Sequence, residues 1–266
     1  MENIELLPEI STKIYDTHAH FDDEDFDPIR QDLFSELAAY GVGCIINNAC
    51  DLTTSAEKCL NLSKTYDFCY TAIGVHPGTI EKDGILPDRQ RLTDLLKNEK
   101  VVAVGEIGLD YHWSTDFKES QKKAFILQCE VANEQNLPVI IHDREAHGDT
   151  FDIVRALKPK GTIHCYSGSA DLAYKYVEMG MYIGVGGVVT FNNARKLVET
   201  VEEIPLDRIL LETDAPYLAP VPFRGRLCHS GLLYFVAQKI AEIKNTDVKT
   251  VLETTADNAR LLYGVK

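Results

Sequence analysis

The sequence predicts an α/β fold: a single-domain TIM (β/α)8 barrel with parallel strands and an extra C-terminal helix. Three observations carry this. Eight short runs rich in Val, Ile and Tyr alternate with longer amphipathic stretches. Several of the short runs are almost continuously apolar, as parallel strands covered on both faces require. The chain has 266 residues and 45 % hydrophobic content, a usual size for eight strand–helix units.

The strands are expected in order at 13–20 (KIYDTHAH), 43–49 (GCIINNA), 68–77 (FCYTAIGVHP) and 101–109 (VVAVGEIGL). They continue at 138–144 (PVIIHDR), 161–168 (GTIHCYSG), 181–190 (MYIGVGGVVT) and 208–214 (RILLETD). Helical patterning fills the gaps at 28–40, 52–65, 87–98, 117–136, 145–157, 170–179, 193–203 and 230–243. A last helix is expected over 247–262. In 117–136, Ala124, Leu127, Val131 and Ala132 trace an apolar stripe, with Lys118, Lys122, Glu130 and Glu134 on the wet side. No linker, low-complexity tract or composition break divides residues 1–266. No glycine fingerprint follows the first strand, which argues against an open dinucleotide-binding sheet.

The formal net charge is −14. Such a surface repels polyanions on average and excludes a protein that coats nucleic acid generally. Seven cysteines without a CxxC pair fit free thiols in a reducing compartment better than a disulfide framework. The N-terminal stretch lacks the basic start and apolar core of a leader, and no apolar run matches a membrane span. A cytoplasmic protein with no membrane association and no obligate protein partner is expected.

Polar residues gather where such a barrel keeps its active site, at the carboxyl ends of the strands. The first strand ends in His18 and His20, the third in His76, the fourth in Glu106 and the fifth in His142. The sixth carries His164, and the eighth ends in Glu212 and Asp214. Side chains at i and i+2 share a face, so His18 and His20 project together, with Asp16 in the same alternation. A lone histidine at a strand end is commonly a hydrogen-bonded structural residue, and a lone acid is commonly a helix cap. Five of the eight histidines at strand ends, joined by carboxylates, form a different pattern. Packed carboxylates repel and buried charges need partners, which divalent cations supply. Mixed imidazole and carboxylate donors suit Zn, Mn, Fe or Ni better than Ca. Six ligands exceed what one catalytic ion takes, so two ions sharing Glu106 is the economical reading.

The motifs DTHAH, GVHP, GEIGLDY, IHDREA, HCYSG and ETDAPYL stand here in an order that resembles the TatD family of metal-dependent deoxyribonucleases, within the amidohydrolase superfamily. The resemblance spans about residues 13–263. It implies a TIM barrel in which His18, His20, Glu106 and Asp214 hold one ion. Glu106, His142 and His164 hold the second, with Glu106 bridging, and His76 lies near the substrate. It also implies hydrolysis of DNA phosphodiesters, typically from a 3′ end, by a metal-activated water. Many relatives in the wider superfamily bridge their metals with a modified lysine on the fourth strand; Glu106 stands there instead, as in the nuclease branch. Where the family commonly reads PxRGKRNEP, this chain reads PFRGRLCHSG (222–231). Arg224 and Gly225 match, while Leu227, Cys228 and His229 replace the triplet. This segment is expected in a loop above the metal positions, where it bears on substrate choice.

Asp214 is the expected proton acceptor, and Glu106 is assigned with it to catalysis. Arg144 and Arg224 are candidates for holding phosphate, because a planar guanidinium suits phosphate oxygens; surface ion pairing is the alternative for each. Asp16 and Glu212 could orient ligand imidazoles or be simply capped polar residues. Trp113 and Tyr111 could stack on a base or pack under their loop. Phe191 and Asn192, after the seventh strand, could touch substrate. The acidic run FDDEDFD (21–27) near the mouth opposes a DNA backbone, so weak, salt-sensitive engagement of DNA ends or single-stranded DNA is expected. Two divalent ions are expected as cofactors, Mg²⁺ or Mn²⁺ for turnover, with Zn²⁺ copurifying. The competing readings are hydrolysis of another ester or an amide, such as an aminoacyl ester, and a non-catalytic metal-binding scaffold.

Overall fold

The computed structural model describes residue 4, residues 7–83 and residues 86–266. Part of the N-terminal stretch in which no leader is expected lies outside the described residues. Eight parallel strands form one sheet in sequence order: β1 (Ile14–Ala19), β2 (Val42–Ala49), β3 (Cys69–Ile73), β4 (Val101–Asp110), β5 (Val139–Arg144), β6 (Gly161–Ile163), β7 (Tyr182–Val185) and β8 (Ile209–Leu211). The sheet nearly closes on itself. Asp214 N–H donates to the His18 carbonyl (3.0 Å) and His20 N–H to the Ala215 carbonyl (2.7 Å), joining the chain beyond β8 to β1.

Helices alternate with the strands: α1 (Arg30–Tyr40), α2 (Thr54–Thr65), α3 (Pro77–Asp83), α4 (Arg89–Leu95), α5 (Lys118–Gln135), α6 (His147–Leu157), α7 (Ala170–Glu178), α8 (Arg195–Glu203), α9 (Leu233–Lys244) and α10 (Val248–Tyr263). Side-chain caps at Asp88, Ser169 and Asp247 start α4, α7 and α10. The main apolar layer lies between sheet and helices. A second cluster joins Tyr15, Ile46, Ile140 and Leu210 to Ala259 and Tyr263 of α10, the extra C-terminal helix. No described helix is long and apolar enough to cross a membrane.

Three differences from the expected elements bear on the site. The run expected as a strand through 77 stops at Ile73, and Pro77 opens α3, where its missing N–H costs nothing. The run expected as a strand over 181–190 stops at Val185, and Gly187–Thr190 turns into a 3-10 helix. Gly187 is needed there: a Cβ would strike the Leu218 carbonyl. Finally, β1 is bulged. Asp16 pairs with Ile45 and Ala19 with Asn47, so Thr17 and His18 together oppose Ile46. Asp16 therefore does not share the face of His18 and His20, which corrects the simple alternation.

On α5, Ala124, Val131 and Ala132 are buried as the stripe requires, but so are Gln121 and Gln128. Gln121 accepts from Asp110 N–H (2.9 Å) and Gln128 from Val75 N–H (2.7 Å). These amides tie down main chain beyond β3 and at the end of β4, next to the polar end of the barrel.

Candidate metal centre

The strand ends bring His18, His20, His76, Glu106, His142, His164 and Asp214 together. Three groups offer ligand atoms within 4.8 Å of one another: His18, His20 and Glu106; His18, His164 and Asp214; and His76, Glu106 and His142. Glu106 lies between them. Its Oε2 faces His18 Nε2 (3.5 Å) and His20 Nε2 (3.4 Å). Its Oε1 faces His142 Nδ1 (2.7 Å), His76 Nε2 (3.5 Å) and His164 Nε2 (3.8 Å). Asp214 Oδ1 lies 3.7 Å from His18, 3.6 Å from His20 and 3.8 Å from His164.

The donor set fits divalent cations. The Nε2 atoms of His18 and His20 approach to 3.0 Å, and the rings of His18 and His164 stack at 3.5 Å. Gathering imidazoles at this density around a buried carboxylate is costly unless a cation shares their lone pairs. Burial, with His164 beside it, pushes His18 towards the neutral form that binds metal. Burial likewise lowers His76 to about 4. For His142 burial works the same way, but its hydrogen bonds to Asp110 and Glu106 outweigh it and raise the pKa to about 10. Burial opposes charge on Glu106 too, yet His76, His18 and the His142 hydrogen bond hold it well below the usual carboxylate range.

A further layer aligns the imidazoles. His164 Nδ1 faces Glu212 Oε1 at 3.1 Å. Glu212 turns into that space because residue 184 is glycine; a Cβ there would collide with its carboxylate. His20 Nδ1 lies 2.9 Å from the Asn48 carbonyl and 3.8 Å from Cys50 Sγ. Asp16 touches no imidazole nitrogen: it accepts from Thr213 N–H (3.0 Å), Thr213 Oγ1 (2.7 Å), Ser230 Oγ (2.7 Å) and His18 main-chain N–H (3.3 Å). It thus braces the β1–β8 seam rather than orienting a ring. Asp110, which reaches His142 Nε2 at 3.1 Å, and Cys50 escaped sequence reasoning. Asp110 lies four residues beyond Glu106 on β4, a spacing that could have drawn attention.

Above the group opens a cavity of about 1280 Å³, lined among others by His20, His76, Glu106, His142, His164 and Asp214. Arg144 lines it, with its guanidinium 5.5 Å from the Trp113 ring centre. Arg224 is exposed, packs over Phe191 at 4.1 Å, and is not among the described lining residues. Tyr111 packs under its loop, donating to Asp149 (2.8 Å), whereas Trp113 stands in the open. Asp22, Asp23 and Glu24 of the acidic run lie on the wall. Segment 222–231, expected in a loop above the metal positions, is irregular through 229 but does not line the cavity. Cys228 and His229 are buried, Cys228 N–H donates to the Pro216 carbonyl (2.9 Å), and no residue of the segment lines the cavity. The replaced triplet is thus structural packing under the β8 loop.

A parallel eight-stranded barrel with imidazoles and carboxylates converging at the carboxyl ends defines a metal-dependent hydrolase. The family model described as "TatD related DNase" matches residues 15–264. The "Uncharacterized metal-dependent hydrolase YabD" of Bacillus subtilis (strain 168) is 40 % identical over 258 residues, covering 95 % of this chain and 99 % of its own. The corresponding hydrolase YcfH of Escherichia coli (strain K12) is 34 % identical over 257 residues, with 94 % and 96 % covered. The crystal structure of YJJV, a TatD homologue from Escherichia coli K12, superposes with a TM-score of 0.86 at 32 % identity, covering 95 % of this chain and 98 % of that one. The chain belongs to the TatD family of metal-dependent hydrolases.

Proposed function

We propose that the protein hydrolyses DNA phosphodiesters, releasing nucleotides from a 3′ end, with two divalent ions as cofactors. The observation that carries this is the division of Glu106: one oxygen faces His18 and His20, the other His142, His76 and His164. A carboxylate so placed suits a bridge between two ions. His18, His20, Glu106 and Asp214 would hold one, and Glu106, His142 and His164 the other; His76 stands at the same centre, within reach of substrate or of an ion. When bound, such ions lower the pKa of water and neutralise charge on phosphoryl oxygens.

The protein's own groups supply the rest. Asp214 has its side chain partly open to the cavity and is kept ionised despite burial by the His20 hydrogen bond and by His164 and His18, so it can accept a proton from the attacking water. Arg144, on the cavity wall, would hold a phosphate; Arg224 packs over Phe191 and does not line the cavity. Glu212 fixes His164, and Asp110 fixes His142.

A second reading, hydrolysis of an aminoacyl ester or a related ester or amide, draws support from Asp22, Asp23, Glu24 and Asp51 on the wall, which favour a cationic substrate. One experiment separates the two. Metal-stripped protein, reloaded with Mg²⁺ or Mn²⁺, is given single-stranded DNA beside ester and amide substrates. Nucleotide release that disappears in Glu106→Ala and Asp214→Ala is the expected result. Ester or amide turnover without DNA cleavage would overturn the nuclease reading in favour of the second.

A further inference from the structure

The cavity wall is polarised. On the β1 and β2 side stand Asp22, Asp23, Glu24 and Asp51, with Lys58 as the cation among them. Lys58 is engaged, donating to the Asp22 carbonyl at 3.2 Å. On the β4 and β5 side each wall carboxylate has an imidazole of its own: Asp143 with His147 (2.9 Å) and Glu145 with His112 (2.7 Å). The Arg144 guanidinium there makes no direct ion pair among the described residues, although its charge helps to keep Asp110 ionised; it lies beside Trp113, which is 74 % exposed.

Strand order fixes where the aromatic platforms stand. In a ring ordered β1 to β8, β4 and β8 are half a turn apart. Trp113 follows β4, and a second exposed aromatic on the wall, Tyr217, follows β8. The Tyr217 hydroxyl donates to Asp23 (3.0 Å), which holds that ring against the acidic side. A phosphodiester reacting at Glu106 and Asp214 therefore has one aromatic platform on each side.

A strand bound by its end is asymmetric in charge. On one side of the reacting phosphate lie all the other phosphates; on the other lies a single nucleoside without any. The phosphates are stabilised beside an arginine with no direct ion-pair partner and destabilised beside a cluster of carboxylates. We infer that the retained strand leaves the site across Trp113 and Arg144, with the penultimate base stacked on Trp113 and the terminal nucleoside towards Tyr217. The acidic side then acts as a stop, because a strand continuing past Tyr217 would press its next phosphate against Asp22, Asp23 and Glu24. This inference rests on the DNA reading and adds the direction of the strand and the reason for acting at ends.

The test uses the Mn²⁺-loaded full chain and its Trp113→Ala variant on three single-stranded oligonucleotides: intact, abasic at the 3′-terminal position, and abasic at the penultimate position. Base stacking on an aromatic ring predicts that loss of the penultimate base raises the wild-type KM about tenfold, with kcat within about twofold. Trp113→Ala should show the same rise on the intact strand and no further rise on the penultimate-abasic one. Terminal base loss should affect both proteins alike. Trp113 is exposed, so the variant should melt with the wild type. An unchanged KM in Trp113→Ala, or a Trp113 effect that disappears with the terminal base instead, would overturn the strand direction while leaving the nuclease reading intact. A wild type that releases no nucleotide from the intact strand would remove both.

Discussion

At the amino-terminal end of the barrel, Tyr15, Ile46, Ala72, Ile140, Tyr182 and Leu210 meet in a closed apolar cluster, completed by Ala256, Ala259 and Tyr263 of α10. A few residues further along the chain, within β1 and β5 or just beyond β3 and β8, stand His18, His142, His76, Glu212 and Asp214. The first end removes carbon from water and stabilises the fold at about 25 cal/mol per Å² of apolar surface buried. The second gathers groups whose burial is unfavourable alone. The contrast separates two tasks within one barrel interior, apolar packing at one end and chemistry at the other.

The largest effect that would test this division is at Glu106. Glu106→Gln should lower kcat/KM about a thousandfold or more, roughly 4 kcal/mol of transition-state stabilisation, while the variant still folds. Steady-state kinetics beside circular dichroism checks it, and activity within tenfold of wild type would break the comparison. At the opposite end, Leu210→Ala should cost about 2–5 kcal/mol of stability through the cavity it leaves. Its folded fraction should keep kcat within about twofold. A urea melt with kinetics below the transition decides this, and a large kcat loss would mean the two ends are not separate.

Asp16 sits between the two tasks. Asp16→Asn turns an acceptor of four hydrogen bonds partly into a donor. It should cost about 1–3 kcal/mol and lower activity moderately, because its partner Thr213 precedes Asp214. A loss of stability with no change in activity would show that the seam does not position the site.

The smallest effect is in protons. His142 is raised to about 10 in the metal-free protein, whereas His76, lowered to about 4, is already neutral at pH 7. Metal binding should therefore release at least one proton at pH 7, and affinity should rise with pH below about 10. For folding the sign is reversed. The raised pKa of His142 stabilises the metal-free fold fully below its unfolded value near 6.5, and that contribution is lost as pH rises through 10. Calorimetry in buffers of different ionisation enthalpy reads the proton count; zero protons released would contradict the charged His142.

Much of this was legible in the sequence because parallel strands covered on both faces leave long apolar runs, and because polar residues at their ends stand out. The polar residues of the centre itself were visible for that reason. The β1 bulge was not, since a two-against-one pairing leaves no mark in the alternation of DTHAH, and Asp16 was placed on the wrong face in consequence. Pro77 hid the start of α3 inside an apparently extended run. The burial of Gln121 and Gln128 was not legible either, because burial of an amide depends on main-chain partners distant in sequence. Cys228 and His229 stood out as a departure from a family pattern, but only packing reveals that they face inward.

The central claim is that the polar end of this barrel holds two divalent cations around Glu106. Calorimetric titration of chelator-treated protein with Mn²⁺ tests it directly. The account predicts two ions per chain for the wild type and at most one for Glu106→Ala. A wild type that binds a single ion or none, or a Glu106→Ala variant that still takes up two, would contradict it.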